Sequence, residues 1–165
     1  MPDHKDLIEI RCSINGKSVH EQVISRMHLG DFLRTQLDLN GVHLGCEHGV
    51  CGACTVLIDG LLVRSCLMLA AQADGCEIQT IEGAVESGAA NKMIDAFQKR
   101  NAAQCGFCSP AMILTTAELV KRVKRPSRDE IREAISGNYC RCTGYQAIVD
   151  AVEDVLDQHQ GHSKS

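Results

Sequence analysis

Ile8, Ile10, Cys12 and Ile14 alternate with Glu9, Arg11 and Ser13. This period of two predicts a half-buried strand. Asn15-Gly16 is a strong hairpin-turn signal, and Lys17 to Ile24 returns as a second strand. Leu29, Phe32, Leu33 and Leu37 stand at offsets of three, four and eight, which predicts an amphipathic helix ended by Asn40-Gly41. After a glycine-rich stretch, residues 56–58, an Asp59-Gly60 turn and residues 61–63 read as a second hairpin, and residues 77–81 as a last strand. Hairpin, helix, hairpin and final strand make a β-grasp arrangement over residues 1–80.

The pattern then changes. Residues 82–90 are small and polar, as in a linker or the approach to a helix. Met93, Ile94 and Phe97 form one apolar stripe. Ser109-Pro110 reads as an N-cap with proline at the first helical position, and residues 112–123 carry that helix on until Pro126. Ser127-Arg128-Asp129-Glu130 is a capping box, opening a helix that Gly137-Asn138 closes. Ile148, Val149, Val152, Val155 and Leu156 make a last amphipathic face, and the tail from His159 is polar. Four helices with short connections predict a small bundle over residues 81–165. The fold class is therefore α+β.

Composition narrows the function. The net charge of −4 over 165 residues lacks the basic footprint of a nucleic-acid binder, and three Phe, two Tyr and no Trp leave little for base stacking. The ten cysteines are the outlying number. The start, Met1 to Asp6, is polar with no apolar stretch behind it, so no signal peptide is visible. No apolar run approaches the about 20 residues that span a bilayer. A cytoplasmic location is expected, where clustered cysteines bind metal more often than they form disulfides.

Gly45-Cys46-Glu47-His48-Gly49-Val50-Cys51-Gly52-Ala53-Cys54, followed by Cys66, has the Cys-x4-Cys-x2-Cys…Cys spacing of a plant-type [2Fe–2S] ferredoxin. Three ligands from one short loop require a sharp bend. Gly45, Gly49 and Gly52 supply backbone freedom and leave N–H groups free to face the sulfurs. The second half contains Cys105-Gly106-Phe107-Cys108 and Cys140-Arg141-Cys142, each just before a predicted helix. If those helices are antiparallel neighbours, the two pairs meet, giving four thiolates for a second cluster. Spacing alone leaves structural zinc as a rival at this second site. A thioredoxin-like use of Cys105 and Cys108 lacks its βαβ context. Cys12 reads as a buried core thiol, and Cys76 has no assigned role. None of the seven histidines pairs at helical spacing. His48, inside the cysteine loop, reads as a solvated loop side chain, with tuning of the cluster potential as the alternative. The run Lys121-Arg122-Val123-Lys124-Arg125 reads as a helix C-terminus complementing its dipole, with a docking patch as the alternative.

Gly45-Cys46, Cys51-Gly52, Cys54-Thr55-Val56, Asp59-Gly60 and Ser65-Cys66 together resemble the N-terminal iron–sulfur domain of the xanthine dehydrogenase family. Gln104-Cys105-Gly106-Phe107-Cys108-Ser109-Pro110 and Gly137-Asn138-Tyr139-Cys140-Arg141-Cys142-Thr143-Gly144-Tyr145 resemble its second, helical iron–sulfur domain. The joint resemblance runs from about Ile8 to Leu156 and moves the second site from zinc to iron. The chain stops where the family's flavin and molybdenum domains would begin. The resemblance is therefore to a separate small subunit of a molybdenum hydroxylase, of the carbon monoxide, nicotine, quinoline or acyl-CoA dehydrogenase type.

That resemblance implies an outer cluster on Cys46, Cys51, Cys54 and Cys66, nearer FAD. It implies an inner cluster on Cys105, Cys108, Cys140 and Cys142, nearer molybdenum. Gln104 and Cys142 would contact the pterin of a molybdopterin cofactor in dinucleotide form, held by a large partner subunit. FAD would sit in a medium partner subunit, in a heterotrimer dimerised to a heterohexamer. One departure is Ala111, where the family often has glycine; a changed helix approach is expected, with function unaltered. The chain itself shows no nucleophile–base pair or phosphate loop, as suits an electron carrier. A rival of another class is a free-standing sensing module with one ferredoxin cluster and one structural zinc.

Overall fold

The computed structural model describes residues 6–161, and side chains to residue 158. The polar start at residues 1–5 and the last four residues of the tail, on which the leader and tail expectations partly rest, lie outside the described residues. Strands β1 (Leu7–Ile14) and β2 (Lys17–Ile24) form the predicted hairpin, with Asn15 (φ 53°) and Gly16 (φ 77°) in its turn. Ile10, Cys12 and Ile14 face inward, whereas Ile8 is exposed. Helix α1 (Leu29–Thr35) follows. It stops before the expected Asn40-Gly41: Asp38 takes φ 56°, and the Leu39 N–H reaches the Leu33 carbonyl at 2.9 Å. Arg34 then binds the carbonyls of Asn40 and Val42, so a side chain rather than a glycine closes this end.

Strands β3 (Thr55–Ile58) and β4 (Leu61–Arg64) form the second hairpin, and β5 (Glu77–Gln79) is shorter than predicted. Sheet order is β2-β1-β5-β3-β4, with β1 and β5 parallel. Phe32, Leu29 and Leu33 of α1 pack with Ile10, Val56 and Ile78 of the sheet, the β-grasp core.

Ile81, read as the end of a strand, opens helix α2 (Ile81–Glu86). The segment read as linker or helix approach is thus partly a short helix, turned by Gly88 at φ 78°. The four predicted helices follow: α3 (Asn91–Lys99), α4 (Ser109–Arg122), α5 (Arg128–Ile135) and α6 (Gln146–Gly161). The cap of α4 is Cys108, not Ser109. The Ser109 N–H bonds the Gly106 carbonyl at 3.1 Å, turning the chain one residue early. Pro110 remains in the first turn, where no N–H is needed. Lys121 and Arg122 end α4, as expected of a dipole-complementing terminus. Met93, Phe97, Met112, Ile131, Ile148 and Val152 fill a second core, with Ala111 buried on α4. Leu57 of β3 packs against this second core, so the two halves are in contact.

Candidate metal centres

The segment from Leu44 to Cys54 has no regular secondary structure. Glu47 (φ 54°), Gly49 (φ 84°) and Gly52 (φ 73°) bend it. Gly45 has another role: a Cβ there would lie 3.2 Å from Phe107 Cε1 and 3.3 Å from Cys51 Sγ. The bends aim amides inward. The Cys51 N–H donates to Cys46 Sγ at 3.3 Å. With the His48 N–H it brings the Cys46 thiol down to about 6. Cys66 comes from a short 3-10 turn, Ser65–Leu67, tied to Cys54. There the buried Ser65 hydroxyl donates to the Cys54 carbonyl at 2.8 Å. Burial, then a hydrogen bond with Cys54, pushes the Cys66 thiol up to about 11.

The second set gathers where two loops meet. Cys105 and Cys108 precede α4, around Gly106 at φ 84°, and Cys140 and Cys142 lie between α5 and α6. Burial, then a hydrogen bond with Cys140, pushes Cys108 up to about 12. Burial also pulls Cys140 upward, but hydrogen bonds from Thr143 and from the Cys142 N–H outweigh it and lower its thiol. The Thr143 hydroxyl donates to Cys140 Sγ at 3.1 Å, and the Cys140 N–H donates to the Tyr145 hydroxyl at 2.9 Å. Its hydrogen bond with Cys105 raises Cys142.

Within each set the thiols stand close enough to shift one another: Cys66 feels Cys54 and Cys46, Cys108 feels Cys140 and Cys105, and Cys142 feels Cys105 and Cys140. Two bridged irons need two thiolates each, and the donor set fits that requirement. The inner set has a buried edge, Cys140 with half-buried Cys108, and an open edge of exposed Cys105 and Cys142 beside exposed Gln104.

His48 is exposed, with its ring Nδ1 against the Cys46 carbonyl of its own loop. Cys12 is buried as expected, and burial raises both its thiol and that of Cys76. Sequence reasoning gave no roles to Ser65, Thr143 and Tyr145, which hydrogen-bond the cysteine-bearing segments. Their signal was a place inside the stretches that carry the family resemblance, next to or a few positions from a cysteine.

Residues 12–76 match the family model of a 2Fe-2S iron-sulfur cluster binding domain, and residues 80–153 that of a [2Fe-2S] binding domain. The chain is 48% identical over 157 residues to the nicotine 6-hydroxylase small subunit of Paenarthrobacter nicotinovorans, covering 95% of this chain and 94% of that one. It is 46% identical over 154 residues to the xanthine dehydrogenase iron-sulfur-binding subunit of Escherichia coli O157:H7, covering 92% and 96%. The chain belongs to the iron–sulfur subunits of the xanthine dehydrogenase family. Membership fixes its class: an electron-transfer subunit of a multi-subunit oxidoreductase, with two [2Fe–2S] domains. Quinoline 2-oxidoreductase from Pseudomonas putida 86 superposes with a TM-score of 0.89 at 46% identity, covering 97% of this chain and 99% of that one. Aldehyde oxidoreductase from Desulfovibrio gigas superposes at 0.84 with 40% identity, but this chain spans only 17% of it. The same family fold is there part of a much longer chain. No helix among the described residues is long and apolar enough to cross a membrane.

Proposed function

We propose that the chain holds an outer [2Fe–2S] cluster on Cys46, Cys51, Cys54 and Cys66 and an inner one on Cys105, Cys108, Cys140 and Cys142. It thereby relays reducing equivalents from a molybdenum–pterin centre in a large subunit to FAD in a medium subunit. The observation that carries this reading is the gathering of eight thiols into two sets of four, one on the glycine-rich loop with Cys66 and one where the Cys105 and Cys140 loops meet. Each cluster, when bound, supplies one-electron redox chemistry. The chain's own residues fix the ligands, shield the buried edges and direct N–H and O–H donors at the sulfurs. Donors of this kind stabilise the more negative, reduced state and raise its potential.

The open edge of Gln104, Cys105 and Cys142 supports placing the inner set against the pterin of a molybdopterin dinucleotide. A heterotrimer doubled to a heterohexamer, in the cytoplasm, completes the proposal; the small-subunit naming of its relatives supports the multi-chain part. Metal analysis and low-temperature EPR of the reduced native complex test it. Two distinct S = 1/2 signals, with molybdenum and flavin in larger co-purifying chains, are expected. A chain that elutes alone with one iron signal and stoichiometric zinc would overturn the reading.

A further inference from the structure

Between the two thiol sets lies a polar seam that neither metal centre uses directly. Asn138, only 2% exposed, stands two residues before Cys140. Its Nδ2 donates to the Gly52 carbonyl at 2.9 Å and to Thr55 Oγ1 at 3.3 Å, both on the outer-cluster side. Its Oδ1 accepts from the Thr115 hydroxyl of α4 at 3.1 Å. The carbonyl of Gly52 can only accept, which fixes the orientation of the carboxamide. Arg64, two residues before Cys66, spans the same seam. Its guanidinium donates to Thr55 Oγ1 at 2.5 Å and to the Gly137 carbonyl at 2.6 Å. The backbones are pressed together as well. A Cβ on Gly52 would stand 2.2 Å from the Gly137 oxygen, and the Tyr139 N–H donates to the Cys51 carbonyl at 2.8 Å.

We propose that Asn138 and Arg64 are positioning residues that set the distance and relative orientation of the two redox centres. The inference rests on the eight-thiol reading. Its physical basis is the choice of partners. Asn138 and Arg64 bond backbone and side-chain atoms of segments whose neighbours are ligands: Gly52 lies between Cys51 and Cys54, and Gly137 lies three residues before Cys140. With Asn138, Thr55 and Thr115 buried and Arg64 half-buried at its edge, such a network holds one arrangement, because each displaced donor would leave a buried group unpaired. Apolar packing alone, as of Leu57 against the helical core, permits sliding. The forked guanidinium and the bidentate carboxamide do not.

The test uses the assembled holoenzyme carrying Asn138→Leu, Arg64→Met or Arg64→Lys, with both clusters reduced. The readout is the magnetic interaction between the two paramagnetic centres, seen as splitting or as relaxation enhancement at low temperature. That interaction depends steeply on distance and on orientation. Expected are full iron content, both cluster signals present, and a shifted or collapsed splitting in Asn138→Leu and Arg64→Met. Arg64→Lys should lie between, since one ammonium cannot reach both acceptors as a fork. If Asn138→Leu does not assemble, Thr115→Val, which frees the carboxamide oxygen, replaces it with a smaller shift in the same direction. Native splitting in loaded Arg64→Met together with Asn138→Leu, or with Thr115→Val as its replacement, overturns the proposal. A wild-type complex with only one iron signal overturns the eight-thiol reading instead.

Discussion

At Gly52 the backbone leaves no place for a side chain. Its φ of 73° and the carbonyl 2.2 Å from an added Cβ act together. Gly52→Ala is expected to cost about 1–2 kcal/mol for the left-handed conformation alone. Separating the Cys51 and Tyr139 segments adds to that. At about 2–4 °C per kcal/mol for a chain of this size, a thermal scan should show a fall of several degrees. Iron at the outer site should fall with it. Thr143 acts more gently. Thr143→Val removes the hydroxyl that donates to Cys140 Sγ. The inner centre should then keep its iron but become harder to reduce, which a redox titration followed by EPR reads as a lower potential. An unchanged inner potential would show that this hydroxyl does not tune the centre.

At the scale of elements, the loops that carry thiols are fixed by the elements that flank them. Helix α5 begins with the predicted capping box: the Ser127 hydroxyl accepts the Glu130 N–H, and Glu130 returns to the Ser127 N–H at 2.7 Å. Ser127→Ala should lower stability by about 1 kcal/mol, a fall in melting temperature of about 2–4 °C. Both EPR signals should persist, since Ser127 caps the end of α5 that lies farther along the chain from Cys140, and the core residues Ile131 and Ile135 stay in place. Loss of the inner signal in this variant would mean that the start of α5 bears on the centre directly. The elements themselves were legible because period two and period 3.6 are written in single residues, as in Ile10, Cys12 and Ile14 or Leu29, Phe32 and Leu33. Their ends were less legible. The stop of α1 depends on Arg34 reaching carbonyls six and eight residues on. The early start of α4 depends on a turn closed by Gly106.

For the whole molecule, two cores stand side by side. The outer thiols Cys54 and Cys66 belong to the sheet core, and Cys140 to the helical one. Each site should therefore fail alone. Replacing the exposed Cys105 or Cys142 by serine should abolish the inner EPR signal and turnover with artificial acceptors, while the outer signal survives with its own iron. Loss of both signals from Cys142→Ser would mean that the cores are not independent supports.

The sequence by itself determined the two kinds of periodicity, the turns at Asn15-Gly16 and Asp59-Gly60, and which cysteines stand grouped by spacing, because these are local properties of chain geometry and side-chain polarity. It also carried the resemblance that links both groups to iron. The tertiary structure alone decided that Cys105 and Cys108 meet Cys140 and Cys142, across about thirty intervening residues. It alone revealed Arg64, Thr55, Thr115 and Asn138 as one seam. No periodicity marks such residues. Their partners are backbone carbonyls and hydroxyls from distant segments, and only folding brings those within the 3 Å or so at which a hydrogen bond forms.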